Sequence, residues 1–203
     1  MKLYYAPGAC SLSPHIALRE ARLPADFERV DLRTKKTASG DDFLAVNPKG
    51  QVPTLQLDDG TLLTEGPAVV QYIADRAPAS KLAPPAGTLE RYRLMELLNF
   101  VSTEIHKGFS PLFKPDTPDA YKDISKKNLG ARFDTVARLL DGKPFLMGDT
   151  FSVADGYLFT VLNWAKPMGI DLAGWPVVRD YHQRVAARPA VQEAMKAEGL
   201  IKG

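Results

Sequence analysis

The chain has 203 residues, of which 45% are hydrophobic and 25% are charged, a balance typical of a globular protein with one large domain or two small ones. Its net charge is only +2, and its basic residues form no stripe along the sequence, which argues against nucleic acid as a partner. No apolar run approaches ~20 residues and no signal-peptide pattern opens the chain, so we expect no membrane segment and a cytoplasmic location.

The first part of the chain alternates strand and helix patterns. We predict strands at Lys2 to Tyr5 and Phe27 to Asp31, parallel to each other and separated by a helix over residues 11–22. A short helix around residues 41–46 then leads to a hairpin and a further helix. This order, β-α-β-α-β-β-α, predicts a thioredoxin-like α/β domain, in which a mixed four-stranded sheet carries helices on its faces.

Residues 47–74 contain the densest local signals. They predict a β-hairpin followed by a helix that begins near Gly66, with Pro67 at the first helical position, where its missing N–H costs nothing. The hairpin consists of a strand at residues 54–57 after Pro53, a turn at Asp59-Gly60 and a returning strand at residues 61–64.

The second part of the chain has helix patterns only. Residues 77–87 contain three prolines and are interpreted as a linker. The predicted helices run from Leu89 to Lys107, from Asp119 to Leu140, from a Ser152/Asp155 capping box onward, and through Tyr181, Val185 and Val191, with Pro111, Pro115 and Pro118 interrupting the chain after the first. The predicted fold class is therefore α/β plus all-α, with a thioredoxin-like domain at residues 1–78, a linker at 79–87 and a helical-bundle domain at 88–203.

Two features of the hairpin region suit ligand binding. The backbone N–H and C=O of Val52, at the rim of the strand, can pair with an extended peptide as an added strand does. Free amides at the start of the next helix, chiefly those of Gly66 and Ala68, can hold a carboxylate while the Glu65 carboxylate accepts from an ammonium group. The same residues also fit an ordinary hairpin followed by an ordinary helix.

Cys10 is the only cysteine, so neither an intrachain disulfide nor a cysteine metal cluster can form, and we expect no bound metal. It follows a strand and a turn and precedes a helix, where amide dipoles lower the pKa of a thiol and favour the nucleophilic thiolate. The alternative is a buried, inert thiol, since cysteine is among the most buried residue types. The residues alone leave both open.

The long helix of the second domain carries a polar face. Asn99, Thr103 and His106 are spaced i, i+4 and i+7, so we expect them to share one side of the helix, away from its apolar stripe. Any surface helix also shows a polar face opposite an apolar one. The other histidines and the aromatic residues of the buried helix are expected to be structural: His15, His182, Tyr157, Phe159 and Trp164. For Trp164 the alternative is a place at the border of a hydrophobic co-substrate pocket.

Three stretches resemble the glutathione S-transferases. The run Q-V-P at residues 51–53 and the run T-E-G-x-A-x-x-Q-Y at residues 64–72 resemble the glutathione site of that family, and the opening MKLYYAPGACSLSPHIALRE looks like its bacterial beta class. The resemblance covers essentially the whole chain. It implies that Pro53 is cis, that Val52 pairs with the cysteinyl unit of glutathione, and that Cys10 meets the glutathione sulfur.

The resemblance also implies roles for other residues. His106 matches the family's second active-site residue, where an imidazole can donate to a sulfur or accept its proton near neutral pH. Gly66 stands where many relatives of other classes have Ser, which leaves only a backbone donor. Those classes use a Tyr or Ser hydroxyl to stabilise the glutathione thiolate, so Tyr5 and Ser11 are alternatives to Cys10. The implied glutathione-binding residues are Cys10, Lys35 (for the glycine carboxylate), Val52, Glu65, Gly66, His106 and, in part across a dimer interface, Asn99, Thr103 and Glu104.

The resemblance implies a homodimeric enzyme that conjugates glutathione, its co-substrate, to small hydrophobic electrophiles. Because two thiolates in contact repel, Cys10 is expected either to stay a thiol that donates to the glutathione sulfur or to form a mixed disulfide with it. The second course would allow thiol-disulfide exchange. The alternative function is a non-catalytic protein that sequesters apolar compounds in the same cleft.

Overall fold

The computed structural model describes residues 1–202 of the chain. Its contacts divide into two compact units, one formed by Met1–Ala83 together with Arg188–Gly203 and one formed by Pro84–Ala187. The first unit holds a mixed sheet with helices and the second is built of helices, so the predicted α/β plus all-α fold class is confirmed. The domain boundaries drawn from the sequence stay a prediction. Within residues 1–202, no helix combines the length and the apolar character that a membrane span requires.

The first unit is built on a five-stranded sheet. Its strands are β1 (Lys2–Tyr5), β2 (Asp26–Asp31), β3 (Lys36–Thr37), β4 (Thr54–Gln56) and β5 (Leu62–Thr64), in the spatial order β3-β2-β1-β4-β5. As predicted, β1 is parallel to β2, while β4 is antiparallel to both β1 and β5. The prediction of four strands is wrong by one: β3 has only two residues, too few to show an alternating pattern.

Helices cover the sheet and make up the second unit. Along the chain they are α1 (Leu12–Glu20), α2 (Phe43–Val46), α3 (Gly66–Arg76), α4 (Leu89–Phe100), α5 (Lys107–Phe113), α6 (Asp119–Leu139), α7 (Val153–Leu162), α8 (Pro176–Ala186) and α9 (Pro189–Ala197). A π-helical segment, Val101–His106, joins α4 to α5. The contacts group α1, α2, α3 and α9 with the sheet, and α4 to α8 with the second unit.

The core of the first unit is formed by apolar side chains of the sheet and of α1 and α3. Full burial of each such side chain stabilises the fold by about 1.5–3 kcal/mol. At the last residue of α1, the Glu20 carboxylate accepts from the guanidinium of Arg188, just before α9, at 2.6 and 2.9 Å. Core residues without exposed surface include Leu3, Leu12, Ile16, Leu55 and Ile73.

Two helix boundaries differ from the prediction, and a proline is involved in each. The first long helix was predicted to end at Lys107, but it continues through α5 with Pro111 inside its last turn. Only two residues follow this proline, so the helix loses one N–H bond and ends soon afterwards. The predicted terminal helix is in fact α8 and α9, because Pro189 holds Arg188 in an extended conformation, with ψ of 134°.

The start of α7 is fixed by a buried carboxylate. Ser152 and Asp155 form the predicted capping box. Asp155 Oδ2 accepts from the amide and the hydroxyl of Ser152, both at 2.8 Å, and Oδ1 accepts from the Leu146 amide at 2.8 Å and the Tyr181 hydroxyl at 3.0 Å. One side chain therefore ties α7 to the loop before it and to α8.

We expect Asp155→Ala to lower the free energy of unfolding by about 3 kcal/mol, because each buried donor left without an acceptor costs ~1–3 kcal/mol and the losses overlap. Unfolding in urea measures the change. The control is Asp149→Ala, an exposed carboxylate in the preceding loop, which should change the same quantity by no more than ~0.5 kcal/mol. Equal losses in the two variants would contradict this account of α7.

Candidate functional site

Cys10 and Val52 meet at one end of the sheet. The chain leaves β1 through a turn in which the Ala9 amide donates to the Ala6 carbonyl at 3.0 Å, and Cys10 follows two residues before α1 begins. The Cys10 thiol donates to the Val52 carbonyl oxygen, with 3.2 Å between Sγ and O. Cys10 therefore lies beside the backbone group that is expected to pair with a peptide.

The turn before Cys10 is held from two sides. Ser11 is fully buried, and its hydroxyl accepts from the Ala6 amide at 3.1 Å and donates to the Ala6 carbonyl at 3.3 Å. Gly8, with φ of +69°, donates its amide to Glu198 Oε2 at 2.9 Å. The other oxygen of Glu198 binds His15 Nδ1 at 2.9 Å, so His15 is structural as expected, through a partner that sequence reasoning missed.

Tyr5 shares this environment. Burial raises the pKa of its hydroxyl above 10.0, and the nearby Glu198 carboxylate raises it further. The Tyr5 hydroxyl therefore stays protonated at neutral pH.

The segment before β4 is positioned by Asn47. The Val52–Pro53 peptide bond is cis, as the resemblance implies. The Asn47 amide nitrogen donates to the Gln51 carbonyl at 3.0 Å and to the Thr54 hydroxyl at 2.9 Å. Asn47 is a buried polar residue that was not predicted to belong to the site. Its position directly after α2 was the only feature of the sequence that could have indicated its role.

Lys35 reaches the same segment from the loop after β2. Its ammonium donates to the Gly50 carbonyl, with 2.7 Å between Nζ and O. Its backbone has φ of +57°, an uncommon value for a residue with a side chain. The half-buried Lys35 ammonium thus lies at Gly50, two residues before Val52 in the chain. There it can attract the anionic end group of a ligand.

Glu65 also has a strained backbone, with φ of +67° and ψ of 115° at the residue that precedes α3. Conformations of this kind concentrate at ligand-binding sites. The exposed Glu65 carboxylate accepts from the Lys49 ammonium at 2.8 Å, an ion pair that the sequence analysis missed because the two residues belong to different elements. Both side chains are more than half exposed, so the pair contributes little to stability.

The first turn of α3 offers fewer free amides than predicted. Pro67 has no N–H, and the Ala68 amide donates to the Glu65 carbonyl at 3.0 Å, so the expectation that Ala68 is a free donor is wrong. The Gly66 amide makes no hydrogen bond within residues 1–202. It is therefore the donor of this turn that a ligand carboxylate can use.

The remaining candidates lie in the second unit, around the π-helical segment. Thr103 donates its hydroxyl to the Asn99 carbonyl at 3.0 Å, and the Glu104 carboxylate accepts from Arg132 Nε at 2.7 Å. A π-helical turn departs from the 3.6-residue period, and such turns are frequent at functional sites. The i+7 spacing therefore did not predict the surroundings of His106.

The His106 ring is packed among aromatic side chains. Its Nδ1 lies 2.6 Å from the Tyr157 hydroxyl, and its ring centre lies 4.9 Å from that of Trp164 in an edge-to-face arrangement. Burial lowers the pKa of His106 to about 4, with a smaller effect of the Lys107 charge in the same direction. His106 is therefore neutral at pH 7.

The aromatic residues of α7 and its C-terminal end belong to the core, as expected. Tyr157, Phe159 and Trp164 are each less than a tenth exposed. His182 stacks on Phe159 and its Nε2 binds Asn163 Oδ1 at 2.7 Å, which agrees with the structural role predicted for it. Among the residues described, no cluster of three or more His, Cys, Asp or Glu could hold a metal ion.

Family models match most of the chain. The model of the glutathione S-transferase N-terminal domain matches residues 8–76, and the model of the C-terminal domain matches residues 100–189. Glutathione S-transferase GstA of Escherichia coli O157:H7 is 50% identical over 200 residues, which cover 98% of this chain and all of that protein. The chain belongs to the glutathione S-transferase family.

Solved structures of the family agree in fold. A sphingomonad glutathione S-transferase complexed with glutathione is 49% identical, with a TM-score of 0.96 over 99% of this chain and 100% of that one. The beta-class glutathione S-transferase of Sphingomonas chungbukensis gives the same values. The family resemblance seen in the sequence is therefore confirmed for this glutathione S-transferase.

The protonation of His106 is directly measurable. In a pH titration followed by NMR, we expect the His106 ring to titrate with a pKa of about 4, against ~6.5 for an exposed histidine. The pKa of His106 is lower in the folded chain than in the unfolded chain, so the unfolded chain takes up the proton first as the pH falls. The contribution of His106 to stability is therefore lost as the pH falls from ~6.5 to about 4. His106→Asn assigns the signal, and a midpoint near 6.5 would contradict the burial argument.

Proposed function

We propose that this chain is a beta-class glutathione S-transferase that conjugates glutathione to small hydrophobic electrophiles and carries out thiol-disulfide exchange through Cys10. The observation that carries the proposal is the 3.2 Å contact between the Cys10 thiol and the Val52 carbonyl. A peptide that pairs with Val52 through its cysteinyl unit would bring its own sulfur to Cys10. The beta-class structure among the similar proteins supports the same class.

The proposed glutathione site follows the backbone of the first unit. Val52 pairs with the cysteinyl unit, the Gly66 amide and Glu65 bind the α-amino acid end, and Lys35 binds the glycine carboxylate. These roles agree with the chemistry of the groups. An amide at the N-terminus of a helix attracts a carboxylate, and the ammonium group of a lysine on a loop attracts a second carboxylate. The solved structure of the sphingomonad relative in complex with glutathione supports this choice of ligand.

On the family pattern, the proposed site also includes residues of the π-helical region. Asn99, Thr103 and Glu104 are proposed to contact glutathione, in part across a homodimer interface, and His106 is proposed as a second active-site residue in addition to Cys10. The neutral state of His106 at pH 7 is compatible with either donating to a sulfur or accepting its proton.

The exchange reaction proposed for Cys10 balances with a second glutathione as the reductant. The Cys10 thiolate attacks the glutathione sulfur of a mixed disulfide, a new Cys10–glutathione disulfide bond forms, and the other thiol leaves with a proton from solvent. A second glutathione thiolate then attacks that bond, which releases glutathione disulfide and restores Cys10. In conjugation, Cys10 stays a thiol and donates to the glutathione thiolate, as it now donates to Val52.

The alternative function is a non-catalytic protein that sequesters apolar compounds. It predicts saturable binding of a hydrophobic dye and no turnover of any electrophile in the presence of glutathione. Measurable conjugation would exclude it.

Paired rates test the role of Cys10. We expect Cys10→Ala to abolish reduction of a small disulfide while conjugation of an aromatic halide continues, because only exchange needs the sulfur as a nucleophile. Glutathione affinity is measured on the same samples, so that a binding defect is not mistaken for a chemical one. If both rates survive unchanged, Cys10 is dispensable and the nucleophile assignment is wrong.

The role of Lys35 is testable against its neighbour. Lys35→Met should weaken glutathione binding about tenfold, which corresponds to ~1.4 kcal/mol, because the glycine carboxylate loses its ammonium partner. Lys36→Met removes an equal charge from an exposed side chain one residue away and should leave the affinity unchanged. Calorimetric titration with glutathione measures both, and equal losses would argue against a specific contact.

A further inference from the structure

The contact between Tyr157 and His106 is the shortest polar contact of the π-helical region. The Tyr157 hydroxyl oxygen lies 2.6 Å from His106 Nδ1, and Tyr157 is only 2% exposed. The Tyr157 and Trp164 rings both meet the imidazole edge to face, with centroid distances of 5.9 and 4.9 Å. These contacts fix the plane of the imidazole ring. The hydrogen bond to Tyr157 uses Nδ1 of His106, not Nε2.

The acidities of the two groups indicate which one donates across the 2.6 Å contact. The phenol proton is far more acidic than the N–H of a neutral imidazole, and the neutral imidazole nitrogen is a stronger base than the phenol oxygen. Tyr157 therefore donates and Nδ1 accepts.

A neutral imidazole carries one proton, so an accepting Nδ1 leaves that proton on Nε2. Burial, with a smaller effect of the Lys107 charge, lowers the pKa of His106 to about 4, so a second proton at Nδ1 is absent at pH 7. His106 then presents a neutral N–H group at Nε2, which can donate a hydrogen bond but cannot take up a proton.

We propose that Tyr157 is a positioning residue that holds His106 in its Nε2–H tautomer, so that His106 donates a hydrogen bond to the glutathione thiolate and does not act as the base that deprotonates it. The part of this proposal that concerns the thiolate rests on the proposed function. The assignment of the tautomer rests only on the contacts of Tyr157 and His106. In the proposed reaction, the thiol proton of glutathione is released to solvent.

The tautomer is measured without any substrate. In nitrogen-15 NMR spectra of the wild-type protein at pH 7, His106 should show a protonated Nε2 and an unprotonated Nδ1. His106→Asn identifies the signals among the three histidines. A protonated Nδ1 in the wild type would overturn the proposal. Because glutathione is absent, this result stands even if the protein proves to have no transferase activity.

The kinetic consequence is measured with Tyr157→Phe, which removes only the hydroxyl. Without the donor, the two tautomers of His106 interconvert, and the population that can donate to the thiolate falls. We expect kcat/KM for conjugation to fall about tenfold at pH 6.5, its acid limb to move to higher pH, and KM for glutathione to stay unchanged.

The matched control is Tyr121→Phe, which removes the hydroxyl of a tyrosine that is 53% exposed in the same unit and should leave both the spectrum and the pH profile unchanged. An equal loss of kcat/KM at every pH in Tyr157→Phe, with the His106 tautomer unaltered, would mean that the hydroxyl serves only stability and would overturn the proposal. If Tyr157→Phe does not fold, the wild-type spectrum alone decides.

Discussion

The antiparallel register of β1 with β4 is the constraint on which the site of the first unit depends. Lys2 pairs with Gln56 and Tyr4 with Thr54, so the residues that follow β1 and those that precede β4 lie at the same end of the sheet. Cys10 and Val52 meet there although they are 42 positions apart. A slip of one residue would shift β4 by ~3.4 Å and turn its side chains to the other face, which is enough to separate the thiol from the carbonyl.

The loops on both sides of the contact between Cys10 and Val52 need support beyond the strand register. Buried and half-buried polar side chains provide this support. Each such side chain binds a backbone group, so the peptide groups offered to a ligand are held before the ligand arrives. A site ordered in advance loses less conformational entropy on binding. The anchoring bonds run from Lys35 to the Gly50 carbonyl, from Asn47 to the Gln51 carbonyl, from the Gly8 amide to Glu198, and between Ser11 and Ala6.

What the sequence could predict was local. Four of the five strands of the first unit, two of which form the hairpin, and the Ser152/Asp155 capping box follow from patterns of a few neighbouring residues, and the structure contains them. The contacts of Glu198 could not be predicted, because its partners are more than 180 positions away in the sequence and no periodicity links them. Tyr157 was correctly assigned to the core, but the partner of its hydroxyl depends on the π-helical turn, which a 3.6-residue period cannot reveal.

The central claim is that glutathione binds along the Val52 backbone with its sulfur against Cys10, and a crystal structure of the protein with glutathione tests it most directly. The account predicts a cysteinyl unit that pairs with the N–H and C=O of Val52, and a glutathione sulfur in contact with Cys10 Sγ. A glutathione molecule whose cysteinyl unit pairs elsewhere, or whose sulfur lies away from Cys10, would contradict it.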